Sequence, residues 1–186
     1  MTRTPRRTLG AIAAVVAALT LAACGGADES DEPTFNDADV MFAQMMIPHH
    51  QQAVEMVDIV LANPAVNPDV EALAEQIRDA QQPEIDLMTS WLEAWGAEPM
   101  DHGGHMDGLM SEDDMEELAS AGDEVNTLFM TQMIEHHEGA VAMAEDQLEN
   151  GLDPAALALA EEIIETQNEE IELMGSYLGT ATDTTH

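Results

Sequence analysis

Two His-His dipeptides, His49-His50 and His136-His137, are the residues of this chain best suited to chemistry. Each sits in a matching frame: Phe42-Ala-Gln-Met-Met-Ile-Pro-His-His-Gln-Gln-Ala-Val-Glu-Met56 recurs as Phe129-Met-Thr-Gln-Met-Ile-Glu-His-His-Glu-Gly-Ala-Val-Ala-Met143, at an offset of 87 residues. Neutral imidazole is a ligand for zinc, copper, nickel and iron, so histidine alone does not choose the metal. Met46 stands four residues before His50 and Met133 four before His137, a spacing that places each pair on one helical face as a chelate. Thioethers are soft donors that suit Cu(I), and imidazoles suit Cu(II), so the set favours copper, as Cu(I) and/or Cu(II), over zinc or iron.

A second match, at an offset of 86, pairs Leu73–Ile77 with Leu159–Ile163 and Gln81–Leu92 with Gln167–Leu178, with Glu84 recurring as Glu170. The offset drops by one inside a turn where Pro68 and Pro154 correspond. Each half of the chain therefore reads as helix, short Pro-containing turn, helix. Apolar periodicity is helical throughout, with no alternating strand pattern, and predicts helices near 39–61, 69–95, 126–149 and 155–178. The fold class is all-α: a ferritin-like four-helix bundle built from two repeated hairpins joined by a long crossover. Pro48 falls inside the first helix and is expected to kink it.

The helical faces put the chemistry in the core. Phe42, Met46, Ala53, Val57 and Val60 form one apolar stripe, and His49 and His50 flank it about 60° and 40° from Met46. Phe129, Met133, Ala140 and Ala144 place His136 and His137 in the same way. On the second helix, Leu73, Ile77, Met88, Trp91 and Leu92 form the stripe, and Gln81 and Glu84 lie in its middle. Gln167 and Glu170 repeat that arrangement. A buried carboxylate costs several kcal/mol unless it is compensated, and Arg78 cannot serve two sites, so histidines or a metal ion remain as partners. The four histidines and two glutamates should form one central layer, surrounded by Met46, Met56, Met88, Met133, Met143 and Met174. Its alternatives are a metal site drawn from these groups and a buried His–Glu hydrogen-bond network that fixes the bundle's register.

Outside the bundle, Arg3, Arg6 and Arg7 precede an apolar run, Leu9 to Leu21, too short for an ordinary membrane span. With Leu21-Ala22-Ala23-Cys24 it resembles a bacterial lipoprotein signal: residues 1–23 would be removed and Cys24 acylated. Residues 24–35 then read as a flexible tether and 36–180 as the folded domain. Its halves run about 36–96 and 122–179, around a linker at 97–121 and before a tail at 181–186. This predicts an extracytoplasmic protein, lipid-anchored to the bacterial cell membrane. Cys24 is the only cysteine, which excludes an intrachain disulfide and a thiolate cage. Beyond the leader, Arg78 is the one basic side chain against 38 acidic residues, a surface that repels nucleic acid. The linker carries Met100, His102, His105 and Met106, an auxiliary metal-capture cluster or an ordinary solvated loop. A short helix opened by Ser111, with Asp114 three residues on, follows.

Other function classes stay in view. A di-iron oxidase needs Glu-x-x-His on two helices, but Met46 and Met133 stand three before His49 and His136. No Ser-His-Asp or phosphate-cradling Gly-rich pattern is present, so no catalytic residue is assigned. A metal-free interaction module on the envelope is the remaining alternative. The sequence names no protein partner and leaves a homo-oligomer open.

The motif Met-Ile-Pro-His-His-Gln-Gln-Ala-Val-Glu-Met, with the later Met-Ile-x-His-His-Glu-Gly-Ala-Val-x-Met, resembles the bacterial family known as domain of unknown function 305. The resemblance spans roughly residues 36–178. It implies a ferritin-like bundle and, through CopM-type members, a copper-binding envelope protein linked to copper resistance. Carried over, it makes His49, His50, His136, His137, Met46 and Met133 the leading ligand candidates. Val125-Asn126 departs from the family pattern, which has Phe-Asp before Phe129.

Overall fold

The structure, a computed structural model, describes residues 34–100 and 108–183, with side chains through Gly179. Cys24, His102, His105 and Met106 lie outside the described residues. Five α-helices follow in order: α1 (Asp37–Ala62), α2 (Pro68–Trp95), α3 (Glu112–Ser120), α4 (Val125–Asn150) and α5 (Pro154–Asp183), with a 3-10 turn at Gly122–Glu124. Among the described residues there is no strand. The four long helices match the periodic segments of the sequence, although α5 runs past 178 to Asp183. Gly179 alone does not stop it, since a single glycine costs only about 1 kcal/mol in a helix. Both α1 and α2 continue as helix through an internal proline, Pro48 and Pro83.

Local chemistry sets the helix starts. Asn36 caps α1 by accepting from the Ala38 and Asp39 backbone N–H groups at 2.8 and 3.1 Å. Asp39 completes a capping box by accepting from Asn36 N at 2.7 Å. Asn67 caps α2 ahead of Pro68, whose missing N–H is harmless at the first helical position. Ser111 and Asp114 form the same reciprocal box at α3.

The hairpins α1–α2 and α4–α5 pack through α1 and α4, which run antiparallel at the centre. Asn36 faces Asn150 at one end of this seam, and His49 faces His136 at its middle. Two clasps hold the register. The first is Asp39, fully buried, whose carboxylate accepts from the backbone N–H groups of Leu152 and Asp153, at 3.1 Å each, and from Gln147 Nε2 at 2.6 Å. The second is Asn126, 87 positions later, which accepts from Asn67 N and donates to Ala65 O, both at 2.9 Å. Each clasp ties the start of one central helix to the turn of the opposite hairpin. Asn126 thus holds the place of Asp39 in the second half with an amide that both accepts and donates.

α3 packs across both α1 and α4. Its approach is held by Gln52, which accepts from Met110 N at 2.8 Å and donates to Met110 O at 2.9 Å. It is also held by Gly108, where a Cβ would stand 2.7 Å from Gly139 Cα. Only glycine fits there, with φ at 82°.

Replacing Asp39 with Ala leaves two part-buried backbone donors and the buried Gln147 amide without their acceptor. The expected loss is about 3 kcal/mol of unfolding free energy by urea titration. Asn126→Ala should cost about 1–2 kcal/mol, since no charged acceptor is lost. A loss under about 1 kcal/mol for Asp39→Ala would remove the clasp from the account.

Candidate metal centre

The apolar core is divided in two by a polar layer. On one side pack Ala53 to Val60, Val70 to Ile77, Val125 to Met133, and Met174 with Leu118 of α3. On the other pack Phe42 to Ile47, Ile85 to Leu92, Ala140, Ala144 and Leu159 to Ile163. Between them each long helix contributes buried or nearly buried polar groups: His49 and His50, Gln81 and Glu84, His136 and His137, Gln167 and Glu170. All four histidines are fully buried.

Within each hairpin a histidine meets the glutamate of the partner helix. His50 Nε2 donates to Glu84 Oε2 at 2.6 Å, and His137 Nε2 donates to Glu170 Oε2 at 2.7 Å. Gln76 Nε2 also donates to Glu170, at 3.3 Å, reaching from α2 to α5. Between the hairpins the His49 and His136 rings lie face to face, with centroids 3.8 Å apart and planes tilted by 40°. His50 and His137 each stand 6.4 Å outward from their neighbour in the dipeptide. The imidazoles thus share one layer, with one carboxylate on His50 and another on His137.

The sequence left histidine or metal as partners for the two glutamates, and the structure pairs both with histidine. The pairing also fixes which atoms are free. With Nε2 donating to the carboxylate, Nδ1 is the ring nitrogen of His50 and of His137 that faces no partner. Both ring nitrogens of His49 and of His136 also lack a hydrogen bond of normal geometry. A carboxylate on the far nitrogen of an imidazole is the usual outer support of a metal-ligating histidine. Among the described residues no three His, Cys, Asp or Glu side chains converge to hold a metal by themselves.

The sulfur candidates fall at two depths. Met46, Met88, Met133 and Met174 are fully buried and lie one helical turn from a layer residue. Met46 and Met88 belong to one apolar cluster, Met133 and Met174 to the other, so thioethers border both faces of the layer. Met56 and Met143 lie two turns, about 10 Å, along their helices from the first histidine of the motif. Met56 is buried core, whereas Met143 is only half-buried and lines a surface groove. Met100, at the start of the linker, is exposed.

Sequence reasoning placed Gln81 and Gln167 mid-stripe without giving them a site role. Both amides are buried in the layer, with Gln81 Nε2 and Oε1 and Gln167 Oε1 unpartnered. Their signal was the spacing: each stands three residues before a core glutamate.

Burial, then the charges of His50 and His137, push His49 down from 6.5 to about 3. Burial, then His49, His137 and His50, hold His136 well below the ordinary histidine range, against a weak upward pull from the His49 backbone. Both rings are therefore neutral at pH 7, the state a metal requires. In the unfolded chain they protonate near pH 6.5. Below that pH the unfolded state takes up protons that the fold refuses, so stability is complete above 6.5 and drains away as pH falls. The metal-free protein should lose about 1.4 kcal/mol per pH unit for each histidine between pH 6 and 5. A His49→Leu/His136→Leu variant should lose that slope in urea titrations. An unchanged slope would mean that the two rings do not stay neutral in the fold.

Comparison with known proteins gives these features a context. Residues 39–178 match the family described as Domain of unknown function (DUF305). A DUF305 fragment from Deinococcus radiodurans superposes with a TM-score of 0.74 at 31% identity, covering 80% of this chain and 99% of that one. A DUF305 protein from Streptomyces coelicolor gives a TM-score of 0.72 at 32% identity, over 77% and 93%. CopM in its Cu(II)-bound form gives 0.68 at 33%, over 76% and 96%, and CopM has also been solved with Cu(I) and with silver. No curated protein sequence matches the chain. Spanning nearly the whole bundle, from the Asp39 clasp to the end of the α5 core, the match shows that this chain belongs to the DUF305 family.

Proposed function

We propose that this protein binds copper outside the cytoplasmic membrane and holds it there, as a lipid-anchored buffer and not as an enzyme. The observation that carries the reading is the layer of four buried imidazoles, each with at least one ring nitrogen without a hydrogen-bond partner. Leaving a buried polar atom unpaired costs about 1–3 kcal/mol, so the layer is expensive unless a ligand completes it. His49 and His136 are the central donors. Met46 and Met133, three residues before them, supply soft sulfur from either face. Glu84 and Glu170 hold His50 and His137 by Nε2, which leaves Nδ1 without a partner. This set accommodates both oxidation states: thioether with imidazole for Cu(I), and imidazole for Cu(II). The Cu(I)-, Cu(II)- and silver-bound forms of CopM, at 32–33% identity, support the choice of metal.

Location rests on the leader. Leu21-Ala22-Ala23-Cys24 has the form of an acylation site, and the acidic surface beyond it suits a compartment in which cations are captured. The linker residues Met100, His102, His105 and Met106 would pass metal towards the bundle.

The deciding experiment is metal retention after desalting, measured by mass spectrometry, with equimolar copper, zinc, nickel and iron offered together. The parent should retain copper and the His49→Leu/His136→Leu variant should lose it. A buffer site kept at a cost to the fold also predicts that the metal-free variant is at least as stable as the parent. A variant that is less stable and still binds copper would make the layer structural. Glu84→Gln and Glu170→Gln should each weaken copper binding about 10–100-fold. Separately, Cys24→Ala should move the protein from the membrane to the soluble fraction of cells and abolish its labelling by radioactive palmitate. Membrane retention without label would sink the anchor.

A further inference from the structure

The α1–α4 seam has two ends, and they are finished differently. At one end α3 roofs the seam: Leu118 is buried in the core beneath it, and Gln132 Nε2 donates to Asp114 O at 3.1 Å. At the other end no helix among the described residues lies over the seam, and a groove of about 430 Å³ runs between α1 and α4. Three methionines line it, Met41, Met45 and Met143, beside Asp37 and Asp146 and over Phe42. We infer that this groove is a second metal site, separate from the histidine layer, in which the three thioethers take a soft monovalent cation, Cu(I) or Ag(I).

Register brings the sulfurs together. Asp39 faces Gln147 and His49 faces His136 across the antiparallel seam. That alignment sets Met143 opposite the turn between Met41 and Met45. Met41 and Met45 are four apart, so their side chains lie one above the other on the same face of α1. Three flexible thioethers around one groove form a donor set selective for soft monovalent ions. Among the described residues no histidine lines the groove.

Core filling accounts for Met143, which packs against the apolar cluster around Phe42, but not for Met41. Met41 is 53% exposed, and Met45 and Met143 are half-buried. At the roofed end, the positions 87 residues on from Met41 and Met45 are Leu128 and Gln132, which serve the roof: Leu128 packs on the core and Gln132 bonds to α3. Asp37 and Asp146 add negative potential at the rim, which raises the local concentration of cations without coordinating them.

The test is silver titration of the full chain carrying 13C-methyl methionine, with single Leu substitutions assigning the resonances. Ag(I) should shift the methyls of Met41, Met45 and Met143 together, and should do so equally in the His49→Leu/His136→Leu variant. Zn(II) should leave them in place. The Met41→Leu/Met45→Leu/Met143→Leu variant keeps side-chain volume and should keep its thermal midpoint. In native mass spectra it should bind one silver ion fewer than the parent. Three unmoved methyls, or a full silver complement in the triple variant, would overturn the site. So would a dimer of the parent, by light scattering, that the same three substitutions abolish, because the groove would then be a contact between copies.

Discussion

Everything in this bundle is arranged around the cost of taking four imidazoles and two carboxylates out of water in a single layer. Desolvation favours the neutral rings and penalises the lone glutamates. The fold answers with two His–Glu pairs, one inside each hairpin, at 2.6 and 2.7 Å. Those pairs are local to a hairpin, so each half can satisfy its own carboxylate. What a hairpin cannot do alone is bury its first histidine. His49 and His136 reach their environment only when α1 meets α4, and the seam must then hold their rings within 3.8 Å of one another. Asp39 and Asn126 supply that tolerance from the two ends of the seam.

Much of the layout was legible because the signals are redundant. Two copies of the motif predict the same helix twice, the prolines at 68 and 154 mark the same turn, and Ser111 with Asp114 announces α3. The presence of glutamate mid-stripe announced a buried polar layer before any partner was visible. What the sequence hid was long-range. Asp39 reads as one more acidic residue in a first helical turn, on a chain with 38 acidic residues. Its burial comes from a turn 113 residues away. The face-to-face contact of His49 and His136 is likewise a product of inter-hairpin register, which no helical wheel contains. Met143 reads on the wheel as an equivalent of Met56, yet it is half-buried beside a groove where Met56 is core.

The two kinds of donor in this protein are placed by different physics. His50 and His137 are held in the layer by hydrogen bonds to Glu84 and Glu170, and His49 and His136 by tight packing. Thioethers make no such demand. They sit in apolar surroundings on both faces of the layer, where they pack as ordinary hydrophobes. This placement leaves either donor type within a helical turn of the other. It also explains how the interior stays apolar enough to fold while carrying so many coordinating atoms.

The short helix α3 has a consequence for the identity of the molecule as a unit. Two hairpins with matching seams are exchangeable in principle: a hairpin from a neighbouring chain presents nearly the same surface as the chain's own. Such exchange is the usual route to swapped dimers. Here the crossover is more than a tether, since α3 packs on both α1 and α4, and Gly108 is pressed against the backbone of Gly139. A foreign hairpin would have to lift that strap before docking. The crossover therefore works as a lock on self-recognition, and its fit biases each chain towards closing on itself.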